Sequence, residues 1–255
     1  MKKEVTVRRY KWRHFSEEKE YVAEERCIDL IINGIPKTSF PISPEELKPF
    51  TYGYLFTSGL IFSKEDVKEL TIKRHSIDVQ IPHLSLQPDP TLADQDDQDD
   101  RADRADQKQG EPEKTETKRR GFDQLIRPDI KKLPALYKAF TRYSVLFDET
   151  GGGYSAATIF DGMSIMFFSE DMGMRNAVDK VIGKALLNNH VPGSEIYFLM
   201  INGRISGEVT AKAIAAGIRG IVSLSAPTSA AVDMAKKCKV SLVGLLSGKS
   251  FTIYT

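Results

Sequence analysis

Between Thr150 and Gly183 the chain reads TGGGYSAATIFDGMSIMFFSEDMGMRNAVDKVIG, a stretch rich in residues that can shape a pocket. Three glycines, Gly151, Gly152 and Gly153, stand between Thr150 and Tyr154. Glycine carries no Cβ, so such a run lets the backbone turn sharply and approach a ligand closely. Glu170 and Asp171 precede a helical pattern, where the positive end of the helix dipole favours carboxylates. Two readings of that pair stay open here, helix capping and contact with a bound ligand. Farther on, Asn202-Gly203-Arg204 and Ser225-Ala226-Pro227-Thr228 each follow an apolar run. Arg204 behind a glycine suits an anion clamp, with a plain surface salt bridge as the alternative. Carboxylates, one guanidinium, hydroxyls and glycine backbone together suit a polar, phosphate-bearing ligand.

Those residues need elements to hold them. Alternation and turn chemistry predict a hairpin over 156–168 turning at Asp161-Gly162. A helix over 174–188 would bury Ala177, Val178, Val181, Ile182 and Ala185, leaving Asp179 and Lys180 on a solvated or dimer-facing side. Strands over 196–201, 218–224 and 240–246 then alternate with helices over 206–216 and 228–237, and a last short strand covers 251–254. This spacing implies a mixed sheet with helices on its faces. Ligands of open α/β sheets bind beyond the carboxyl ends of the strands, so the loops above are the informative ones.

Upstream, 4–12 reads as an edge strand in which Arg8, Arg9, Lys11 and Arg13 interleave with Tyr10 and Trp12. Contact with RNA or phosphate is one reading; charges that keep a solvated edge from aggregating are the simpler one. Two apolar runs flank Asn33-Gly34, a strong hairpin signal. Ser43 is placed to cap a helix with Pro44 at its first position. That helix would run toward Ser58-Gly59, with Leu47, Phe50, Tyr54 and Leu55 inward. A further strand or hairpin covers 67–84, and a helix interrupted near Pro134 covers 129–147. Residues 88–120 hold eleven acidic and seven basic residues and no aromatic, Val or Ile. Such a segment buries too little apolar surface to offset its ordering entropy and reads as a disordered insertion. The chain thus divides into a β-rich N-terminal region (1–87), the insertion (88–120) and an α/β C-terminal domain (121–255).

The net charge of +1 gives no global bias toward nucleic acid, although the chain outside the acidic insertion carries about +5. Cys27 and Cys238 are the two cysteines, too few for a disulfide scaffold and without metal-ligand spacing. Each reads as a buried small hydrophobe, Cys27 in a strand and Cys238 at a helix end. No apolar leader segment and no eighteen-residue apolar run are visible, so a cytoplasmic protein without membrane association is expected.

TGG at 150–152, EDMGMRNAVDKVIG at 170–183, NGRIS at 202–206, SAPTS at 225–229 and the C-terminal LVGLLSGKSFTIYT resemble the formate dehydrogenase accessory sulfurtransferase family, FdhD. INGIP, SPEEL and GYLFTSGLI in the first region resemble it too, so the likeness covers most of the chain outside the insertion. The resemblance implies a cytidine-deaminase-like α/β/α C-terminal domain with a mixed sheet, beside a smaller, partly β N-terminal domain. It implies a cytoplasmic homodimer that takes persulfide sulfur from a cysteine desulfurase. The sulfur then passes to the molybdenum bis(molybdopterin guanine dinucleotide) cofactor destined for formate dehydrogenase. It places the guanine nucleotide end of that cofactor at the C-terminal domain's strand ends. Carried onto this sequence, the contacts would be Thr150, Gly151, Gly152, Gly153, Tyr154, Glu170, Asp171, Gly173, Arg175, Asn176, Gly203, Arg204, Ser206, Ser225, Ala226, Pro227 and Thr228. No catalytic residue, zinc ligand or nucleic-acid contact is assigned.

The chain departs from the family pattern in four places. The CxxC whose first cysteine bears the persulfide is missing, and its counterpart region at 118–125 reads KRRGFDQL. Tyr154 stands where the family has histidine, Met174-Arg175 where it has Arg-His, and Asn202 where it has serine. A sulfur relay needs a thiolate, which serine, tyrosine or lysine cannot replace. A cofactor-binding scaffold without transfer chemistry is therefore the alternative function. Deaminase chemistry is excluded more simply, since no H-x-E or P-C-x-x-C zinc pattern is present.

Overall fold

In the computed structural model, residues 2–84, 122–193 and 195–255 are described. The expected disordered insertion at 88–120 lies outside them. Three sheets form. β1 (Lys2–Lys11) and β2 (His14–Ala23) make an antiparallel ribbon of their own. β3 (Arg26–Ile32), β4 (Ile35–Ile42), β5 (Glu69–Ile72) and β6 (Ser76–Gln80) form a second sheet in the order β4-β3-β6-β5. Its β3–β4 hairpin turns at Asn33-Gly34, both at positive φ, which the first of those residues tolerates and the second adopts freely. The Asn33 side chain also bonds the backbone of Ile81 and Leu84, tying the turn to the end of β6.

The third sheet has six strands: β7 (Ser155–Phe160), β8 (Ile165–Asp171), β9 (Phe198–Ile201), β10 (Gly220–Ser223), β11 (Ser241–Gly244) and β12 (Thr252–Ile253). Their order is β12-β11-β10-β9-β7-β8. β9, β10 and β11 are parallel, whereas β7 runs antiparallel to both β8 and β9. One face carries α4 (Met174–Leu187), α5 (Gly207–Ala215) and α6 (Ser229–Cys238). Leu133, Leu136 and Phe140 of α2 (Leu133–Tyr143) cover the other, against Phe160, Phe198, Met200 and Val243. Pro134 sits in the first turn of α2, where its missing N–H costs nothing. A separate short helix, α3 (Val145–Glu149), follows it. This is the expected mixed α/β architecture with a smaller β-rich N-terminal part. Among the described residues no helix is long and apolar enough to cross a membrane.

The N-terminal region joins the large sheet through one helix pair. α1 (Leu47–Thr57) lies between the second sheet and α4, so a single apolar cluster runs from Ile28, Leu30 and Ile77 through Phe50 and Leu55 to Val178 and Ile182. The two helices touch backbone to backbone. A methyl group on Gly53 would overlap the carbonyl of Asp179, and one on Gly183 would overlap the carbonyl of Pro49. Bulkier residues at either position are sterically excluded from this crossing.

Three expectations are corrected here. Ser43 does not cap α1, which begins at Leu47 behind Glu46 at φ 56°. Ser43 is buried instead: its hydroxyl donates to Asp171 Oδ2 at 2.8 Å and accepts from Lys180 Nζ at 2.6 Å. Lys180 in turn pairs with Asp171 Oδ2 at 2.6 Å. A local cap contributes about 1 kcal/mol, less than the cost of leaving two buried charges without a third polar partner. Asp179 and Lys180 are not solvated either. Asp179 accepts from Lys212 at 2.9 Å and from Thr57 at 2.8 Å, and all three interlock α1, α4 and α5. Burial pushes the Asp179 carboxyl up, against the opposing pull of Lys212. Finally, Cys27 is exposed, because Ile28, Leu30 and Ile32 take the inward face of β3 and the period of two turns Cys27 outward.

Gly183→Ala is expected to destabilise the chain by about 3 kcal/mol, the upper end of what overpacked cores show. Lys180→Met should cost about 3–5 kcal/mol by stranding the Asp171 charge. Urea denaturation followed by circular dichroism measures both, and near wild-type midpoints would contradict this joint.

Candidate functional site

The sheet topology gathers the sequence-predicted loops at one edge. β8, β9, β10 and β11 all point the same way, and β7 starts where they end, with Ser155 opposite Asp171 and Ala157 opposite Ile201. The glycine turn before β7 and the loops after β8, β9, β10 and β11 therefore share that edge. Hydrogen bonds stitch neighbouring loops together. Asn202 exchanges bonds with Ala156, its Oδ1 accepting from the Ala156 N–H at 2.9 Å and its N–H donating back at 3.2 Å. Ser223 Oγ donates to the Gly203 carbonyl at 2.5 Å, and Ile205 N–H donates to the Ala226 carbonyl at 3.2 Å. Leu245, at φ 55° and half exposed, donates its N–H to Ser225. No sequence signal marked Leu245 as part of this rim.

Two helices begin at the rim with satisfied caps. Ser206 Oγ accepts from the Val209 N–H at 3.2 Å at the start of α5. Thr228 Oγ1 accepts from the Ala231 N–H at 3.3 Å at the start of α6. Their positive dipole ends therefore face the same edge. Arg204 lies on the loop leading into α5, exposed and without an ion-pair or hydrogen-bond partner among the described residues. Gly203 beside it is close to Met174: an added Cβ would meet the Met174 Cε at 2.8 Å. The edge thus offers one uncommitted cation, two helix N-termini and small, polar loop residues, which is chemistry for an anion.

Other predicted contacts have structural partners instead. Tyr154 is 1% exposed, and its hydroxyl is pushed up to about 12, first by burial and then by the charge of Glu45. Glu170 accepts from the Leu146 N–H at 3.1 Å and the Phe147 N–H at 2.9 Å, so its carboxylate caps α3. Burial pushes that carboxyl up, against the two amide bonds that pull it down. Asp171 is fully buried, taking bonds from Gly173 N–H and Asn176 Nδ2 besides Ser43 and Lys180. Asn176 also donates to the Pro41 carbonyl, and Arg175 pairs with Glu208 on the surface. Gly151 and Gly152, at φ 61° and 93°, end α3, and the Gly152 N–H returns to the Phe147 carbonyl at 2.8 Å. Thr150 Oγ1 donates to the Leu146 carbonyl at 2.6 Å. Termination of a helix thus accounts for the left-handed glycines locally, while their exposed backbone stays at the rim.

Comparison with known proteins places the chain in one family. The FdhD/NarQ family model matches residues 23–255. The chain belongs to the FdhD/NarQ family. It is 29% identical over 258 residues to the sulfur carrier protein FdhD of Bacillus pumilus, covering 100% of this chain and 96% of that protein. It is likewise 29% identical over 259 residues to the protein FdhD of Methanocaldococcus jannaschii, covering 100% and 97%. Over 110 residues it is 44% identical to the sulfur carrier protein FdhD of Sulfurisphaera tokodaii, but that match spans only 43% of either chain. A putative formate dehydrogenase accessory protein from Desulfotalea psychrophila has the same fold, with TM-score 0.78 at 19% identity over 100% of this chain and 97% of that one.

Thiols bear on any sulfur chemistry of this family member. Cys238, at the end of α6, is 7% exposed. Its carbonyl accepts from the Phe122 N–H at 3.0 Å, so the segment that opens at Phe122 packs over that helix end. Cys27 sits opposite Pro41 in the second sheet, its Sγ 2.9 Å from Ser39 Oγ. Native protein is expected to show one thiol that reacts rapidly with Ellman's reagent. The second should react only under denaturing conditions, and Cys27→Ser should abolish the fast phase. Two fast thiols would contradict the burial of Cys238.

Proposed function

We propose that this protein handles the molybdenum bis(molybdopterin guanine dinucleotide) cofactor on its way to formate dehydrogenase, as a sulfur carrier or accessory protein of the FdhD type. The single observation behind this reading is Arg204, an exposed cation without a partner among the described residues, on the edge that also carries the capped N-termini of α5 and α6 and the glycine turn. A guanosine diphosphate end brings a pyrophosphate that such a site neutralises, because helix N-termini and a guanidinium both favour phosphate oxygens. The cofactor is cargo here, bound and passed on rather than kept. Formate dehydrogenase and a cysteine desulfurase are the partners this reading requires, in the cytoplasm. A second copy of the chain is a third, and exposed Tyr143 at the end of α2 and Val145 at the start of α3 offer it apolar surface.

Isothermal titration with GDP should give measurable heat for the native protein and at least a tenfold weaker Kd for Arg204→Ala. A corresponding Ser225→Ala change should alter affinity less, since it removes no charge. Heat that is absent from the native protein, or equal in Arg204→Ala, would remove the basis of this reading.

Sulfur carriage by this chain has one available atom, the Cys27 sulfur, because Cys238 is enclosed. Incubation with a cysteine desulfurase and 35S-cysteine should label native protein and leave Cys27→Ser unlabelled, while Cys238→Ser labels normally. A native protein that stays unlabelled would instead favour the second reading, a cofactor-binding scaffold. The observation behind that reading is the lack of cysteine anywhere in 118–125.

A further inference from the structure

The β1–β2 ribbon carries features that cofactor handling leaves unused. Its root is fixed at the rim: Lys2 Nζ pairs with Glu149 at 2.7 Å, and Ala23 lies against Gly153 of the glycine turn. From there the two strands pair with each other through ten residues and, among the described residues, with no other strand. Ten extended residues span roughly 30 Å, so the ribbon carries its tip well away from its root. The family model match begins at residue 23, where the ribbon ends.

The tip breaks local rules. A two-residue hairpin turn with both φ values positive is normally filled by Asn-Gly or Asp-Gly. Here Trp12 and Arg13 hold those positions, at φ 51° and 68°. A bulky side chain in the left-handed region costs about 1 kcal/mol or more, and the indole recovers none of it by burial, being 93% exposed. Tyr10 (59%) and Phe15 (64%) are exposed beside it, their ring centroids 5.0 Å apart, with the Arg8 guanidinium 5.0 Å over the Phe15 ring. Residues 8–15 contain four Lys or Arg and no acidic residue. Arg9 is paired with Glu18 and Glu20, whereas Arg13 has no ion-pair partner among the described residues. Edge protection accounts for the charges; it does not account for three exposed rings.

We infer that the tip of this ribbon is a docking arm for a protein partner whose surface presents an apolar pocket ringed by carboxylates. Trp12 fills the pocket and Arg8, Lys11 and Arg13 meet the acidic rim. Trp, Tyr and Arg are the residue types that dominate binding energy at protein interfaces, and exposed rings flanked by cations match an apolar pocket with an acidic surround. A single-stranded nucleic acid fits less well. Its backbone needs a continuous positive track, and here Glu17 and Glu18 interrupt the ribbon just below the tip, with Glu4 and Glu20 nearer its root. Because the arm is rooted at the glycine turn, a partner held by its tip also stands near the candidate cofactor site. In that respect the inference rests on the function proposed above.

The test uses full-length protein and its Trp12→Ala and Arg13→Glu variants. Each is measured by biolayer interferometry against the formate dehydrogenase catalytic subunit and, separately, the cysteine desulfurase of the same organism. At least one partner should bind native protein and lose tenfold or more in affinity with either variant, with GDP titration and thermal unfolding unchanged. Equal affinity of native protein and Trp12→Ala for both partners would overturn the inference, as would failure of native protein to bind either. So would variants whose only change is in self-association by sedimentation, or in binding a fluorescent single-stranded RNA of twelve nucleotides. Loss of GDP binding by native protein with the arm effect intact would count against the cofactor reading alone.

Discussion

The Asp171–Lys180 pair and the hydroxyl of Ser43 are the contact on which the rest of this structure depends. Both charged side chains are fully buried, at the point where the segment after β4 meets the end of β8 and the first turns of α4. Two charges so placed are tolerable only in one arrangement, because any other docking of α1 and its preceding segment would strand a charge in an apolar setting. The Gly53–Gly183 crossing adds a steric condition to that electrostatic one, since the helices must approach until their backbones touch. Asp179, the neighbour of Lys180 on α4, repeats the device with Lys212 and Thr57. The position of the N-terminal sheet on the large sheet follows from these three contacts.

This joint changes the meaning of the most informative stretch of the chain. Residues 170–183 look like a ligand rim when read in order, with acids, a glycine, an arginine and an asparagine before a helix. In space most of them face inward. Asp171, Asn176, Asp179, Lys180 and Gly183 hold α4 against the N-terminal region, and Glu170 caps α3. What remains free to meet a ligand comes from other strand ends: Gly203, Arg204 and the loop 225–228, together with the backbone of the glycine turn. The site is therefore a surface edge held by an interior lattice of polar contacts, and the lattice supplies rigidity to loops that would otherwise move.

Most element positions were legible because their signals are local. Asn33-Gly34 turns with both residues at positive φ, at Asp161-Gly162 the glycine alone adopts it, and the alternation of β7 to β11 with α4 to α6 follows from period and spacing. Ser206 and Thr228 cap their helices as residue type predicts. Local signals failed where a distant partner offered more. Ser43 forgoes a cap for an ion pair 128 residues away. Cys27 has the residue type of a small interior hydrophobe, yet the parity of β3 points it outward, since Ile28, Leu30 and Ile32 claim the other face.

By itself the sequence determined the family likeness, the mixed α/β class, the order of the elements and the set of strand-end loops that could meet a ligand. These follow from side-chain periodicity, turn conformation and motif order, all of which act over a few residues. Only the tertiary structure decided which of those polar residues are spent inside. A carboxylate next to a glycine has the same local signature whether it meets solvent, a ligand or a buried lysine. What separates these cases is desolvation, a property of everything packed around the group rather than of its neighbours in the chain.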